Sequence, residues 1–288
     1  MILKRKIYKK LLEWKKECQG KKALLIEGAR RIGKSTICEE FGKNEYESYL
    51  LIDFAKKDKE VERYFERYLN DLDTFFMLLQ THFGTKLTER NSLIIFDEVQ
   101  MFPQARAAIK YLVADGRYDY IETGSLISIR ENVKNIVIPS EERNINMYPL
   151  DFEEFAIALE EDLLVEYIKK CFEKREPLER SMHNQAMLLF HQYMLVGGMP
   201  MPVVTFIESK KDFTEADREK RDILKLYRED IMKIDAKYRS KVLAIYDQIP
   251  GFLSQHEKRV VFKKLQDGSY ADQYEVNFFL AVGFYDIQ

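Results

Sequence analysis

Residues Gly28-Ala29-Arg30-Arg31-Ile32-Gly33-Lys34-Ser35 fit the pattern GxxxxGK[ST]. Each letter of that pattern answers a need of phosphate binding. The glycines let the backbone wrap until successive N–H groups point at one anion, and a helix opening near Lys34 adds its positive N-terminal end. Lys34 then reaches the β- and γ-phosphates of a nucleotide, the Ser35 hydroxyl holds Mg2+, and the binding stretch runs from Gly28 to Thr36. Context supports the pattern: apolar Ala23 to Ile26 enters the loop as a strand, and Thr36 to Phe41 leaves it as a helix that Gly42 closes.

A second element complements the first. Leu93-Ile94-Ile95-Phe96 runs into Asp97-Glu98. In a parallel sheet both strand ends face one crevice, so Asp97 completes the Mg2+ shell opposite Ser35, and Glu98 polarises an attacking water. That pair implies hydrolysis rather than binding alone. A further apolar run ends in Thr123-Gly124-Ser125. Its hydroxyls lie beside the γ-phosphate if that strand sits between the other two; a turn of small polar residues is the competing reading. Thr123 is favoured over Ser125. Arg130 and Arg143 follow as candidates for stabilising transition-state charge, in the same chain or toward a neighbouring subunit.

The elements that must position these groups are legible in outline. Leu3, Ile7, Leu11 and Trp14 recur at helical spacing, so residues 1–19 read as an amphipathic helix that Gln19-Gly20 stops. Ala23 to Ile26, Tyr49 to Ile52, Leu93 to Phe96 and Tyr118 to Ile121 read as strands apolar on both faces, hence buried between helix layers. Lys59 to Leu69 and Asp71 to His82 read as helices with no assignable chemistry. Pro103 suits a first helical position and Gly116 a C-terminal cap. Residues 20–150 are therefore expected to form an α/β domain with a parallel sheet. After Pro149 the texture changes to helical periodicity: Asp151 to Glu160, Glu161 to Lys174, Met182 to Val196, Thr214 to Ile234 and Lys237 to Leu253. Gly197-Gly198, with Pro200 and Pro202, breaks the run. Residues 151–260 are expected to be a helical module.

Composition bounds the function. The 288 residues carry 46 Lys+Arg against 48 Asp+Glu, a net charge of −2, which argues against a dedicated polybasic nucleic-acid binder. The apolar runs fall far short of the roughly 18 to 20 residues that span a bilayer, and the N-terminus has no secretory signal. Cys18, Cys38 and Cys171 are dispersed and read as buried thiols in a reducing compartment, so the expected location is cytoplasmic. His82, His183, His191 and His256 have no metal-ligand spacing. No NKxD guanine-reading motif is present, which favours ATP over GTP.

Taken together, GARRIGKST, LIIFDEVQMFP, the ETGS turn, Arg143 before MYPLDFEEF, the LVGGMP break and the YREDIMKID helix resemble an AAA+-type P-loop ATPase. The likeness is to the bacterial and archaeal branch that couples such a core to a C-terminal domain of unknown function. It implies a three-layer α/β/α P-loop fold followed by a mainly helical C-terminal module. It also implies that Lys34, Ser35, Asp97 and Glu98 handle ATP or ADP and Mg2+, with Thr123 or Ser125 in the sensor position and Arg143 in the post-sensor arginine position. Two departures stand out: Glu142 precedes Arg143 where glycine is common, and the family's chains ordinarily continue further. Residues 261–288 accordingly read as the start of a truncated C-terminal domain, and one extra base in a thymine run after Phe279 would account for the last residues. The expected function is an Mg2+-dependent ATPase that moves its helical module. The alternative is a nucleotide-switched regulatory or DNA-binding scaffold with little turnover. A DNA or protein partner and a homo-oligomer are both left open; a membrane is not expected.

Overall fold

A computed structural model describes residues 1–125, 141–233 and 236–254. Helix α1 (Ile7–Cys18) precedes the first strand. There follow β1 (Ala23–Gly28), α2 (Lys34–Glu45), β2 (Ser48–Asp53), α3 (Lys59–Tyr68), α4 (Leu72–Phe83), β3 (Ser92–Asp97), α5 (Pro103–Asp115), β4 (Asp119–Ser125) and β5 (Glu142–Asn146). The five strands form one parallel sheet in the order β2-β3-β4-β1-β5. β1 and β3, whose ends carry the phosphate loop and the acid pair, thus flank β4. β4 pairs Ile26 with Thr123 on one side and Phe96 with Glu122 on the other, so Thr123 stands between the two motifs.

Both faces of the sheet are buried, which is why its central strands read as continuous apolar runs. Leu24, Ile26, Leu93, Ile95 and Ile121 face α1 and α2. Ala23, Leu25, Ile94, Phe96 and Tyr120 face α3, α4 and α5. Trp14 anchors α1 on its face at 1% exposure, its indole N–H donating to Lys22 O at 3.0 Å. Burying one side chain of that class contributes about 1.5–3 kcal/mol, so α1 is part of the core rather than an appendage.

Beyond β5 come α6 (Phe152–Ala158), α7 (Asp162–Lys174), α8 (Arg180–Val196), α9 (Pro200–Glu208), α10 (Phe213–Ile231) and α11 (Ala236–Leu253). Leu150, Phe155, Leu189, Val203, Phe206 and Ala216 form a separate core. Helix α10 belongs to both parts: Ala216 lies in that core, while Ile223, Tyr227 and Ile231 lie in the core under α1 and α2.

Several sequence expectations need correction. The fifth strand escapes notice because Glu142-Arg143-Asn144 is polar, as edge strands commonly are. The ETGS stretch continues β4 and is not a turn. The first helix starts at Ile7, four residues later than its periodicity suggests. Gly42 does not close α2, which runs on to Glu45. A Cβ at Gly42 would sit 2.9 Å from the Tyr49 side chain, so the missing side chain is what lets α2 pack against β2. The break at Gly197-Gly198 is where the sequence places it, and Pro200 then opens a further helix, α9, that is not among those expected; at a first turn a proline lacks nothing the helix needs. Pro103 and Gly116 do bound α5 as expected. Cys38 and Cys171 are buried, Cys18 only partly. Arg130 and residues 261–288 lie outside the described residues.

Candidate functional site

The loop between β1 and α2 is shaped by two glycines. Gly28 passes so close to the next backbone crossing that a Cβ there would lie 2.3 Å from Met147 O. Gly33 adopts φ +90° as α2 begins, a conformation side chains resist. Arg31 takes φ 69° between them, and this strain is typical of a loop wrapped around a ligand position.

Inside that wrap, Lys34 is 6% exposed and its ammonium donates to Ala29 O at 2.9 Å and Gly28 O at 3.1 Å. Burial pushes its pKa below the ordinary lysine value, against the pull of Glu98 and Asp97. Among the described residues no carboxylate oxygen lies within 4 Å of it to form an ion pair. A buried cation hydrogen-bonded to carbonyls, with no carboxylate in contact with it, suits an incoming anion.

Two hydroxyls converge on Asp97, which is 8% exposed at the end of β3. Ser35 Oγ donates to Asp97 Oδ1 at 2.9 Å, and Thr123 Oγ1 donates to the same oxygen. Thr123 Oγ1 in turn accepts from the Glu98 N–H at 3.3 Å. Glu98 holds φ 53°, a left-handed conformation that costs about 1–3 kcal/mol in a non-glycine residue. Its carboxylate accepts from Gln100 Nε2. Lys34, Ser35, Asp97, Glu98 and Thr123 thus assemble at the carboxyl ends of the interior strands β1, β3 and β4. The donor set fits a nucleotide triphosphate with Mg2+: a buried ammonium and an anion-shaped loop beside a hard-oxygen pair, Ser35 and Asp97.

Not every expected residue joins them. The Ser125 backbone pairs with Gly28 at the same carboxyl end of the strands. Arg143 pairs in register with Leu24, four residues down β1 from Gly28 or about 13 Å along the strand, and its guanidinium donates to Glu17 Oε2 at 2.6 Å. The structure does not bring it to the cluster.

Three residues not singled out for this site touch the loop from outside. Arg5 Nη1 donates to Ile32 O at 3.0 Å, Tyr227 Oη donates to Arg30 O at 2.7 Å, and Asp230 accepts from Arg30 Nη1 at 2.5 and 2.7 Å. Tyr227 and Asp230 fall in the YREDIMKID stretch, which as sequence is only an amphipathic helix end.

Residues 20–156 match the family model described as AAA domain. Solved structures similar to this chain include domain III of the replication initiation protein DnaA from Thermotoga maritima, at 14% identity, 75% of this chain, 90% of that one and a TM-score of 0.39. Another is PCH-2 of C. elegans, at 11% identity, 74% of this chain, 64% of that one and a TM-score of 0.35. No curated protein matches the sequence. Among the described residues no helix is long and apolar enough to cross a membrane. With its phosphate-loop motif set on a five-stranded parallel sheet and the family match over residues 20–156, this chain carries a P-loop α/β domain that is similar to the AAA domain family.

Proposed function

We propose that the chain is an Mg2+-dependent ATPase whose nucleotide state repositions its helical half, residues 151 onward. The observation that carries this reading is the convergence of the Ser35 and Thr123 hydroxyls on Asp97, next to a buried Lys34 whose hydrogen-bond partners among the described residues are loop carbonyls. Residues Gly28 to Thr36 cradle the phosphates of ATP or ADP, with Lys34 neutralising charge on the transferring group. Ser35 and Asp97 would hold the Mg2+, which when bound supplies charge neutralisation across the phosphates. Glu98 orients and deprotonates the attacking water. Thr123 ties the backbone of Glu98 to the carboxylate of Asp97, so that base and metal ligand keep one spacing. Arg143 lies too far down β5 to serve its own site, and any contribution it makes to phosphoryl transfer comes toward a neighbouring subunit. Catalysis is mainly positioning and electrostatics, which matches a site built from strand ends.

A switch without turnover is the second reading, favoured by the Glu98 carboxylate being engaged by Gln100. Phosphate release by the full chain with Mg-ATP, with and without DNA, separates the two. The ATPase reading expects measurable turnover in the wild type that Glu98→Gln lowers about 100-fold or more while ATP affinity is kept. ATP binding with no phosphate release above background would favour the switch. Unaffected turnover in Glu98→Gln would remove Glu98 from its role.

A further inference from the structure

A loop whose N–H groups face a phosphate must turn its carbonyls outward, and each of those needs a donor. Here the donors come from three parts of the chain. Lys34 serves Gly28 and Ala29, Arg5 serves Ile32, and Tyr227 serves Arg30. Arg30 is held twice over. Its carbonyl accepts from Tyr227 at 2.7 Å, and its guanidinium Nη1 donates to both oxygens of Asp230, at 2.5 and 2.7 Å.

Tyr227 and Asp230 are three residues apart on α10, hence neighbours on one helix face. Tyr227 is 2% exposed and packs in the same core as Ile223 and Ile231, so its hydroxyl is fixed relative to α10 as a whole. Asp230 is further steadied by Lys233 Nζ at 2.7 Å. The other end of α10 packs in the core of the helical half through Ala216. One helix therefore grips the middle of the phosphate loop at one end and the helical half at the other.

We propose that Tyr227 and Asp230 are positioning residues for nucleotide binding, acting through Arg30, and that they are the route by which the phosphate loop and the helical half sense one another. This rests on the reading of the loop as an ATP site. By linkage, whatever factor the α10 grip adds to phosphate affinity, bound phosphate returns to the grip.

The test uses the full chain with Tyr227→Phe, Asp230→Asn, Asp230→Glu, Arg30→Ala and the double variant Arg30→Ala/Asp230→Asn. Equilibrium titrations compare Mg-ATP with adenosine, and hydrogen exchange follows the amides of residues 29–33 without ligand. Tyr227→Phe and Asp230→Asn should each weaken Mg-ATP by about fivefold to tenfold, the scale of one lost hydrogen bond, and leave adenosine unchanged. Both should speed exchange in the ligand-free loop. Asp230→Glu should recover most of the affinity, and the double variant should bind no worse than Arg30→Ala alone. Should Tyr227→Phe fail to fold, the Asp230 series carries the test. Variants that bind Mg-ATP as the wild type does, or that lose adenosine equally, overturn the proposal alone. A wild type that binds no Mg-ATP overturns the nucleotide reading and the proposal with it.

Discussion

Two buried cations lie on or beside the same sheet and live in opposite surroundings. Arg106 of α5 is 3% exposed, and its guanidinium meets Glu142 with two hydrogen bonds, at 3.0 and 3.3 Å. Glu122, wholly buried on β4, completes that cluster. Lys34 is nearly as buried but has loop carbonyls as its hydrogen-bond partners. The first charge is compensated inside the fold, so it serves as a strut between α5 and the edge strand. The second is hydrogen-bonded to loop carbonyls and only drawn from a distance by Glu98 and Asp97, so its ammonium is available to something that arrives. Burial alone does not mark a functional charge; the kind of partner does.

The sharpest way to break this contrast is to remove the strut. Arg106→Ala leaves buried carboxyls without their cation, and unfolding by denaturant should register a loss of about 3–5 kcal/mol. A loss near zero would mean that the Arg106 cluster is no strut. Next in size is Thr123→Val, which deletes the hydroxyl joining Asp97 to the Glu98 N–H. Steady-state kinetics should show kcat falling about tenfold with KM little changed, the pattern of an interaction that matters in the transition state. An equal loss in KM with kcat intact would instead assign Thr123 to ground-state binding.

Glu122 sharpens the strut side through pH. Burial first, then the neighbouring charge of Glu142, pushes its carboxyl well above the ordinary glutamate value, and neither of its oxygens receives a hydrogen bond from a described donor. A proton on Glu122 lets it donate to Glu142. The folded state therefore keeps a proton that the unfolded chain releases. Stability is greatest below the unfolded glutamate pKa and falls as pH rises toward the folded value, with a slope up to about 1.4 kcal/mol per pH unit. Thermal unfolding of Glu122→Gln across that window should be flatter than wild type; an unchanged slope would show that Glu122 is ionised in the fold.

The smallest effect concerns Lys34 without ligand. Its folded pKa lies below the unfolded one, so burial of the charged form weighs against folding at neutral pH, and the penalty fades as pH rises through the folded value. Lys34→Met should raise the melting temperature of the ligand-free protein by about 2–4 °C near neutrality, corresponding to about 1 kcal/mol. A fall in melting temperature would make Lys34 a structural cation like Arg106.

The sequence carries the binding side of this contrast better than the structural side. Lys34, Ser35 and Asp97 are visible because phosphate and metal chemistry restrict both residue type and spacing, and apolar strands announce the sheet that brings them together. Glu142 and Arg106 are invisible because an edge strand rich in charge looks like loop, and an arginine in an amphipathic helix looks like surface. Tyr227 and Asp230 escape for another reason: they act on Arg30 from about 200 residues away, and only the fold makes them neighbours. Gly42 is misread and α9 goes unforeseen, since glycine and proline signal breaks unless packing or a helix start accounts for them.

The most direct measurement is a calorimetric titration of Mg-ATP into the wild-type chain and into Lys34→Met under identical conditions. A cradle completed by an incoming anion predicts saturable binding by the wild type and a loss of about 100-fold or more in the variant, the scale of unpairing a buried charge. Equal affinity in the two proteins would contradict it.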